Sequence, residues 1–331
     1  MFAEAIESLL VHHCTPAAVR AIEGGGSPLA LSAAISEAGF HELLAPEDSG
    51  GGGAGWNDFF DVVILCGAHA VPLPLPQTLA ARLLVADPRD LPAGLVTFAP
   101  SLTVAADGSL HALQVPMARV ASHVIAASGG ALLLLATADA QQASSGVHGS
   151  LVASLRWKAG AGRALASPVR AADLQPLAAL LHAGLLAGAM KKAFDLTMGY
   201  ANERVQFGKS IGKFQAIQHQ LSVMAEQVAA AHMAAEAAFG TGNAASGLPA
   251  AAACAVAKAR TSEAAQRVAS IAHAVHGAIG VTAEYDLQLY TRRLHEWRVA
   301  HGSEMHWHRI LGGLFLESSE PLAADFVRSL I

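Results

Sequence analysis

A short basic stretch between two long apolar segments contains side chains that can bind a phosphate group. It runs from Arg204 to Gln218 and reads RVQFGKSIGKFQAIQ. An arginine side chain can donate hydrogen bonds to two phosphate oxygens at once. Phe207 follows Arg204 by three residues and precedes Gly208, so a guanidinium and an aromatic ring can face one ligand across a turn. The stretch predicts a local site for a phosphate-containing ligand, although an arginine that tethers a loop between helices has the same pattern.

A second stretch, HGAIGVTAEYDL, runs from His276 to Leu287 and follows a predicted helix. Its glycines, Gly277 and Gly280, have two interpretations, because they either leave the backbone open to a ligand or let helices pack closely. The two stretches, in this order along the chain, resemble the flavin-contacting segments of acyl-CoA dehydrogenases. The chain is similar in particular to the short, divergent subunits of heteromeric members of that family.

This resemblance implies a set of contacts to FAD. The first stretch would contact the pyrophosphate and adenosine part of an FAD held mainly by a neighbouring subunit, and the second would help to hold the ADP part. The family commonly has Gln two residues before the His276 position and a Gly pair after it. Ala274 and Ala278 occupy the Gln position and one Gly position here, so one amide contact and some backbone clearance are lost. The implied cofactor-binding positions are Arg204, Gln206, Phe207, Gln215, Ala274, Gly277 and Ala278.

The position of the catalytic base departs from the family's pattern. Oxidation of an acyl-CoA requires a carboxylate that takes the α-proton while hydride passes from the β-carbon to flavin N5. The family commonly carries this Glu in a Tyr-Glu-Gly-Thr turn. Counting from Arg292, residues 300–303 read AHGS, so His301 occupies the Glu position, and the family's other placement corresponds to about Ala178. An imidazole titrates near neutrality and is able to act as a base, but a solvated contact between His301 and Glu304 explains the same spacing.

The loop that usually binds the flavin ring is also missing. The family's Thr-Glu-Pro and Ala-Gly-Ser-Asp pattern has no counterpart between Thr97 and Gly108. Shortened members of the family pair with complete subunits, as in heterotetrameric dehydrogenases of bulky CoA thioesters such as steroid side chains. The resemblance therefore implies an FAD flavoprotein subunit that oxidises an acyl-CoA in fatty acid or steroid side-chain degradation, as the base-lacking partner of a complete subunit.

Two other interpretations remain open at this stage. The first is a self-sufficient homo-oligomeric dehydrogenase in which His301 is the base. The second is a helical scaffold of another functional class, which has kept the fold and lost the flavin. The sequence predicts a homo- or hetero-oligomer in each case, because 53% of residues are hydrophobic and only 14% are charged, so that much apolar surface must meet another subunit.

The elements that position these residues fall into three predicted domains of an α+β fold. Residues 1–88 have helical periodicity and form an N-terminal helical domain. Residues 89–173 contain short apolar runs separated by Gly, Ser and Asp, which is typical of a middle domain of antiparallel strands. Residues 174–331 contain long amphipathic segments that predict a C-terminal four-helix bundle. This order is acyl-CoA dehydrogenase-like.

The bundle helices can be assigned from caps and apolar spacing. The first opens at Asp173 and runs to about Glu203, and the second follows the basic stretch to about Gly240. The third starts near Pro249, and the fourth covers residues 282–303. The basic stretch is therefore expected to join the first two helices of the bundle.

Composition excludes several partners. The net charge of -5 arises from 21 basic and 26 acidic residues without long blocks of either sign, which argues against nucleic-acid binding. Two nearly uncharged runs, residues 124–138 and 177–190, are predicted to be buried elements, so no membrane span is expected. His295, His301, His306 and His308 lack HExxH spacing, and no metal site is predicted.

The cysteines and the first residues predict a cytoplasmic protein. The three cysteines lie far apart and have no CxxC spacing, which fits a reducing compartment better than a disulfide framework. The first twenty residues contain Glu4 and Glu7 and lack the basic start and apolar core of a signal peptide.

Overall fold

The computed structural model describes residues 2–242 and 247–331, which form two compact units. The first unit comprises Met1–Val62 and Val71–Ala178, and the second comprises Val63–Ala70 and Ala179–Ile331. Helices precede a sheet region in the first unit, and the second unit is helical. This order of elements confirms the predicted fold class. The finer division at residues 88 and 173 stays a prediction.

The helical part of the first unit packs around aliphatic side chains such as Ile6, Leu10 and Ile35, which are fully buried. Thr15 caps one of its helices by accepting a hydrogen bond from the Ala18 amide at 3.3 Å, as expected of an N-cap residue. The helices of this part are α1 (Phe2–His13), α2 (Pro16–Glu23), α3 (Leu29–Glu37), α4 (Trp56–Ala68), whose last residues belong to the second unit, and α5 (Leu75–Ala80).

The sheet region contains two four-stranded sheets. Its strands are β1 (Val96–Ala99), β2 (Thr103–Val104), β3 (Leu110–Val115), β4 (His123–Ser128), β5 (Ala131–Ala136), β6 (Gln141–Ser144), β7 (Ala153–Trp157) and β8 (Arg163–Ala164). The strand orders are β1-β4-β5-β8 and β2-β3-β7-β6. The inner faces of both sheets share one apolar core, in which Trp157 is 1% exposed.

One strand pair differs from the predicted antiparallel arrangement. β1 and β4 are parallel, with Val96 opposite His123, whereas the other pairs in the two sheets are antiparallel. The chain leaves β1 to form β2 and β3 in the other sheet before it returns as β4. Such a crossover connection, unlike a hairpin, brings the chain back in its original direction.

The second unit contains the long helices that the sequence predicts. They are α6 (Leu174–Glu203), which begins in the first unit, α7 (Gln215–Gly240), α8 (Ala251–His276) and α9 (Leu287–Val299), followed by α10 (Glu304–Glu317) and α11 (Ala323–Leu330). The predicted fourth helix, residues 282–303, is thus shorter at both ends. A turn at residues 300–303 separates α9 from α10, because His301 and Gly302 have φ angles of 58° and 109°, which no α-helix accommodates.

Small residues let α6 pack closely on the part of α4 that lies in this unit. A Cβ atom on Gly188 would lie 2.0 Å from the Ile64 carbonyl oxygen, and one on Gly67 would lie 2.2 Å from the Leu185 carbonyl oxygen. Any larger side chain at Gly67 or Gly188 would therefore force the two helices apart. In the part of the chain that the structure describes, one helical segment, Ala171–Glu203, is long and apolar enough to cross a membrane, but 83% of its most apolar window is buried, as is usual for a core helix.

Candidate functional site

The basic stretch folds into a small β-hairpin after α6. Strand β9 (Val205–Gln206) pairs with β10 (Lys209–Ser210), and the Ile211 amide donates to the Arg204 carbonyl oxygen at 2.8 Å. The two turn residues, Phe207 and Gly208, both have positive φ angles, 51° and 77°. Two-residue hairpins favour such a turn because its twist matches that of the strands. Glycine adopts this conformation freely, whereas it is uncommon for phenylalanine.

The hairpin exposes an aromatic ring to solvent. Phe207 is 91% exposed, and its main contact is an edge-on approach to Phe214 with 6.2 Å between ring centroids. The Lys209 ammonium lies 4.3 Å from the centroid of the Phe214 ring, so the base of the hairpin is held by a cation–π contact. The turn geometry therefore presents Phe207 away from the protein's own core, where another molecule can cover it.

Arg204 stands at the start of the hairpin with its side chain exposed. Its amide donates to the Tyr200 carbonyl oxygen at 2.8 Å, which fixes the backbone to the last turn of α6. Within the described ranges, its guanidinium has no hydrogen-bond or ion-pair partner. Gln206 and Gln215 are also exposed. The donors of all three side chains are thus available to a ligand.

The second stretch lies at the end of α8. Ala274, Gly277 and Ala278 are exposed, and the backbone turns at Gly277 with a φ of 64°. A Cβ atom on Gly277 would meet nothing within 4 Å, whereas one on Gly280 would lie 2.9 Å from the His276 Cβ and 3.2 Å from a Leu287 methyl carbon. The two glycines therefore differ: the backbone at Gly277 is open, and Gly280 serves close packing.

The structure brings these two stretches to the same end of the second unit. The ring of Tyr200, one turn before Arg204, stacks on the ring of His276 with 4.4 Å between centroids and 22° between planes. Below this stack, the ends of α6 and α8 and the start of α7 share an apolar cluster built on Ala201, Leu221 and Val275. All the predicted cofactor-binding positions lie on or beside the segments that this cluster joins.

His301 lies elsewhere, in the turn between α9 and α10. Its ring approaches that of His182 edge to face, with 4.7 Å between centroids. Burial, together with the neighbouring His182 and Lys258, lowers the pKa of His301 well below its ordinary value. The carboxylate of Glu304 pairs with Arg298 rather than with His301, so the solvated contact inferred from spacing is not formed. His301 is thus a neutral imidazole among basic groups, which makes it a weak base.

Lys258 is a neighbour of His301 that no pattern in the sequence indicates. It is fully buried, and its Nζ atom lies within hydrogen-bond distance of Ser262 Oγ, at 2.8 Å, and of the carbonyl oxygens of Trp297, Arg298 and Gly302, at 3.1, 2.8 and 3.1 Å. These carbonyls include the last ones of α9, so the ammonium caps that helix and ties it to the following turn. Burial lowers the pKa of Lys258 to about 7. The available sequence signal is one lysine within the small-residue run AAACAVAKARTS.

The two regions are separated along α6. The helix rises about 1.5 Å per residue, so His182 and Glu203 lie about 30 Å apart along its axis. The structure therefore places His301, beside His182, far from the hairpin that follows Glu203. The histidines of α9 and α10 do not converge either, since no group of three or more His, Cys, Asp or Glu side chains in residues 2–242 and 247–331 can hold a metal ion.

Comparison with known proteins identifies the family. Residues 177–314 match the model of the acyl-CoA dehydrogenase C-terminal domain. The chain is 32% identical over 305 residues to the acyl-CoA dehydrogenase IpdE2 of Mycolicibacterium smegmatis, with 88% of this chain and 90% of that protein covered. The chain belongs to the acyl-CoA dehydrogenase family.

Two solved structures of the family share the fold over nearly the whole chain. The ChsE4-ChsE5 complex from Mycobacterium tuberculosis gives a TM-score of 0.83 at 22% identity, with 96% of this chain and 97% of that chain covered. The Tcur3481-Tcur3483 steroid ACAD gives the same TM-score at 26% identity and the same coverage. Both structures are heteromeric. Members of the acyl-CoA dehydrogenase family are flavoproteins that oxidise acyl-CoA thioesters.

The residues of the hairpin end fit one half of a flavin cofactor. The free guanidinium of Arg204, the uncovered ring of Phe207 and the open backbone at Gly277 suit a pyrophosphate with an attached nucleoside. The segment where the acyl-CoA dehydrogenase family binds the flavin ring has other contacts. Thr97 is 1% exposed, and its hydroxyl donates to the Pro116 carbonyl oxygen at 2.7 Å within the first unit. The Thr97 side chain is therefore not available to a flavin ring.

Proposed function

We propose that this chain is the base-lacking subunit of a heteromeric FAD-dependent acyl-CoA dehydrogenase. The hairpin end donates Arg204, Gln206 and Phe207, with Gln215 nearby, to the ADP part of an FAD whose ring is held by a complete partner subunit. At the end of α8, the exposed residues Ala274, Gly277 and Ala278 lie against the same part of the cofactor.

The observation that carries this proposal is the separation of the two candidate sites. Arg204 and Phe207 are exposed, and within the described residues the Arg204 guanidinium has no hydrogen-bond or ion-pair partner. His301 lies beside His182, and the α6 axis from His182 to Glu203 is about 30 Å long. A chain whose cofactor contacts face outward and whose base position holds a weak base is suited to completing another subunit's site.

FAD, when bound, would supply the hydride acceptor for oxidation of the acyl chain, and a carboxylate of the partner would supply the base for the α-proton. The contribution of this chain is to bind and orient. Its Arg204 neutralises charge on the pyrophosphate, and its Phe207 shields the nucleoside from water. The substrate class is a bulky acyl-CoA thioester such as a steroid-derived one, which the likeness to a steroid dehydrogenase of 26% identity supports. The compartment is the cytoplasm, in keeping with the three buried cysteine thiols.

The first test is the visible spectrum of the purified chain, alone and after co-expression with a neighbouring complete acyl-CoA dehydrogenase subunit. We expect no stoichiometric flavin in the lone chain, and flavin with acyl-CoA oxidation in the co-purified complex. Stoichiometric flavin and oxidation by the lone chain would instead establish a self-sufficient homo-oligomer. Absence of flavin in both samples, although the two chains co-purify, would favour a scaffold.

A further inference from the structure

An aromatic group joins the two stretches that form the cofactor-binding end. His276 stacks on Tyr200 at 4.4 Å, and Tyr285 leans against both rings, with its centroid 5.2 Å from that of His276 and 6.2 Å from that of Tyr200. Tyr200 belongs to α6, His276 ends α8, and Tyr285 precedes α9. The rings therefore hold together three segments that are distant in sequence.

The orientation of the His276 ring is set within α8. Its Nδ1 atom lies 2.8 Å from the Ala272 carbonyl oxygen, and since a carbonyl can only accept, Nδ1 carries the proton and donates. Among the described residues, no group hydrogen-bonds to the other ring nitrogen, Nε2, which is buried, and the residue is only 4% exposed. A buried nitrogen without a partner costs free energy. The main contact of the His276 side chain is therefore made by its flat face, which Tyr200 covers.

The backbone of Tyr200 connects the stacked rings to the hairpin. Its carbonyl oxygen accepts from the Arg204 amide at 2.8 Å, and the Arg204 carbonyl oxygen accepts from the Ile211 amide at 2.8 Å. A continuous series of contacts thus runs from His276 through the Tyr200 backbone and Arg204 to the far strand of the hairpin. Displacement of the Tyr200 ring would loosen the turn of α6 on which the hairpin is anchored.

We propose that His276 is a positioning residue, which holds the hairpin and the guanidinium of Arg204 in the geometry that binds the ADP part of FAD. The identity of the ligand in this inference rests on the proposed function, whereas the effect of His276 on the position of the hairpin does not. The hairpin contains trypsin sites after Arg204 and Lys209, so its opening can be measured on the full chain without any flavin.

The test is limited trypsin digestion of the full-length His276→Ala variant, with the Lys209 cut followed by mass spectrometry. Loss of an aromatic pair should raise the equilibrium constant for local opening of the hairpin about 3- to 10-fold. We expect the rate of cleavage after Lys209 to rise by the same factor. In the co-expressed complex, the dissociation constant for FAD should rise by a similar factor. His276→Phe keeps a flat ring on Tyr200 and should restore both values to near those of the natural chain.

A matched control is His273→Ala on the same helix. His273 bonds to Thr291 through Nε2 at 2.9 Å and does not stack on Tyr200. Its replacement should leave the Lys209 cut unchanged. If His276→Ala lowered the melting temperature without faster cutting at Lys209, His276 would have only a structural role and the proposal would be overturned. Equal cutting of the Ala and Phe variants would also overturn it. If cutting responded as expected but no FAD bound, the proposed function alone would fail.

Discussion

The rings of His182 and His301 meet edge to face with 4.7 Å between their centroids and 72° between their planes. Lys258 adds a second basic neighbour to His301, and its ammonium is tied to the carbonyl oxygen of Gly302, the next residue. The position that the resemblance assigns to the catalytic base therefore holds a neutral ring in basic surroundings. A like-charged environment disfavours the imidazolium that a general base must become.

We expect His301→Gln to leave acyl-CoA oxidation by the co-expressed complex within about twofold of that of the natural complex. The reason is that a weak base among basic groups supplies little of the proton transfer. General-base catalysis contributes about 100- to 10,000-fold to a rate, so a loss of that size in steady-state assays at saturating substrate would mean that His301 is the base after all.

The same substitution should change the pH dependence of stability. The folded-state pKa of His301 lies well below that of an unfolded histidine, near 6.5. Between these two pKa values, only the unfolded chain binds the proton, so the free energy of unfolding falls as the pH falls below about 6.5. Urea denaturation at pH 7.5 and 5.5 should show a smaller loss for His301→Gln than for the natural chain.

The matched control for this measurement is His308→Gln, on the exposed side of α10. It should lose as much stability between the two pH values as the natural chain does. Part of the acid effect will persist in His301→Gln, because burial also lowers the pKa of His276. Identical losses in all three proteins would contradict the assigned environment of His301.

Replacement of the buried ammonium should destabilise the turn between α9 and α10. Lys258→Met removes the donor shared by three carbonyl oxygens and leaves two of them without a replacement, for an expected cost of about 2–4 kcal/mol in the free energy of unfolding at pH 7. Ser262 continues to donate to the Arg298 carbonyl oxygen at 3.0 Å. Denaturation by urea measures the cost, and Lys191→Met, at an exposed i,i+4 ion pair with Asp195, is the control.

The pH profile of that variant provides a separate check. The pKa of Lys258 falls from 10.5 in the unfolded chain to about 7 in the folded protein. Above pH 7 the unfolded state therefore binds more protons, and the stability of the natural chain should rise with pH between about 7 and 10. Lys258→Met should lack this rise. Parallel profiles would show that the ammonium stays charged across the whole window.

Arg204→Ala should weaken FAD binding by the co-expressed complex about 10- to 100-fold, because hydrogen bonds to charged groups contribute about 1.5–3 kcal/mol. Stability should stay within about 0.5 kcal/mol, since the side chain is exposed. Equilibrium titration with FAD, monitored by flavin fluorescence, measures the effect. Arg309→Ala, an exposed arginine of α10, should bind FAD normally. Equal FAD affinities of the Arg204→Ala and Arg309→Ala complexes would show that Arg204 does not bind the cofactor.

The bundle helices follow from the sequence because their apolar spacing matches the helical period. Apolar residues at spacings of three and four predict α7, and in the structure they are buried or half-buried, with Met224 fully buried. These residues are Phe214, Ile217, Leu221, Met224 and Val228. The hairpin turn at Phe207–Gly208 is harder to predict from the sequence. The sequence indicates a turn at Gly208, but not that Phe207 also has a positive φ angle.

Contacts between distant segments could not be predicted from one sequence. His182 lies in α6, and His301 lies in the turn between α9 and α10. Hydrophobic periodicity indicates which face of one element is buried, but not which other element packs against it. The four acceptors of Lys258 are mostly backbone carbonyls, which every residue has, so no side-chain pattern indicates them. The parallel pairing of β1 and β4 likewise depends on the path through the second sheet.

The length of α6 also separates the energetic effects of changes at its two ends. Substitutions at sites more than about 10 Å apart with no shared partners have additive effects on stability. The hairpin beyond Glu203 and the turn that packs against His182 meet that condition. A double-mutant cycle between Gly208→Ala and Lys258→Met should accordingly give a coupling energy near zero. Residues near one end of α6 can therefore vary without changing how well substitutions near its other end are tolerated.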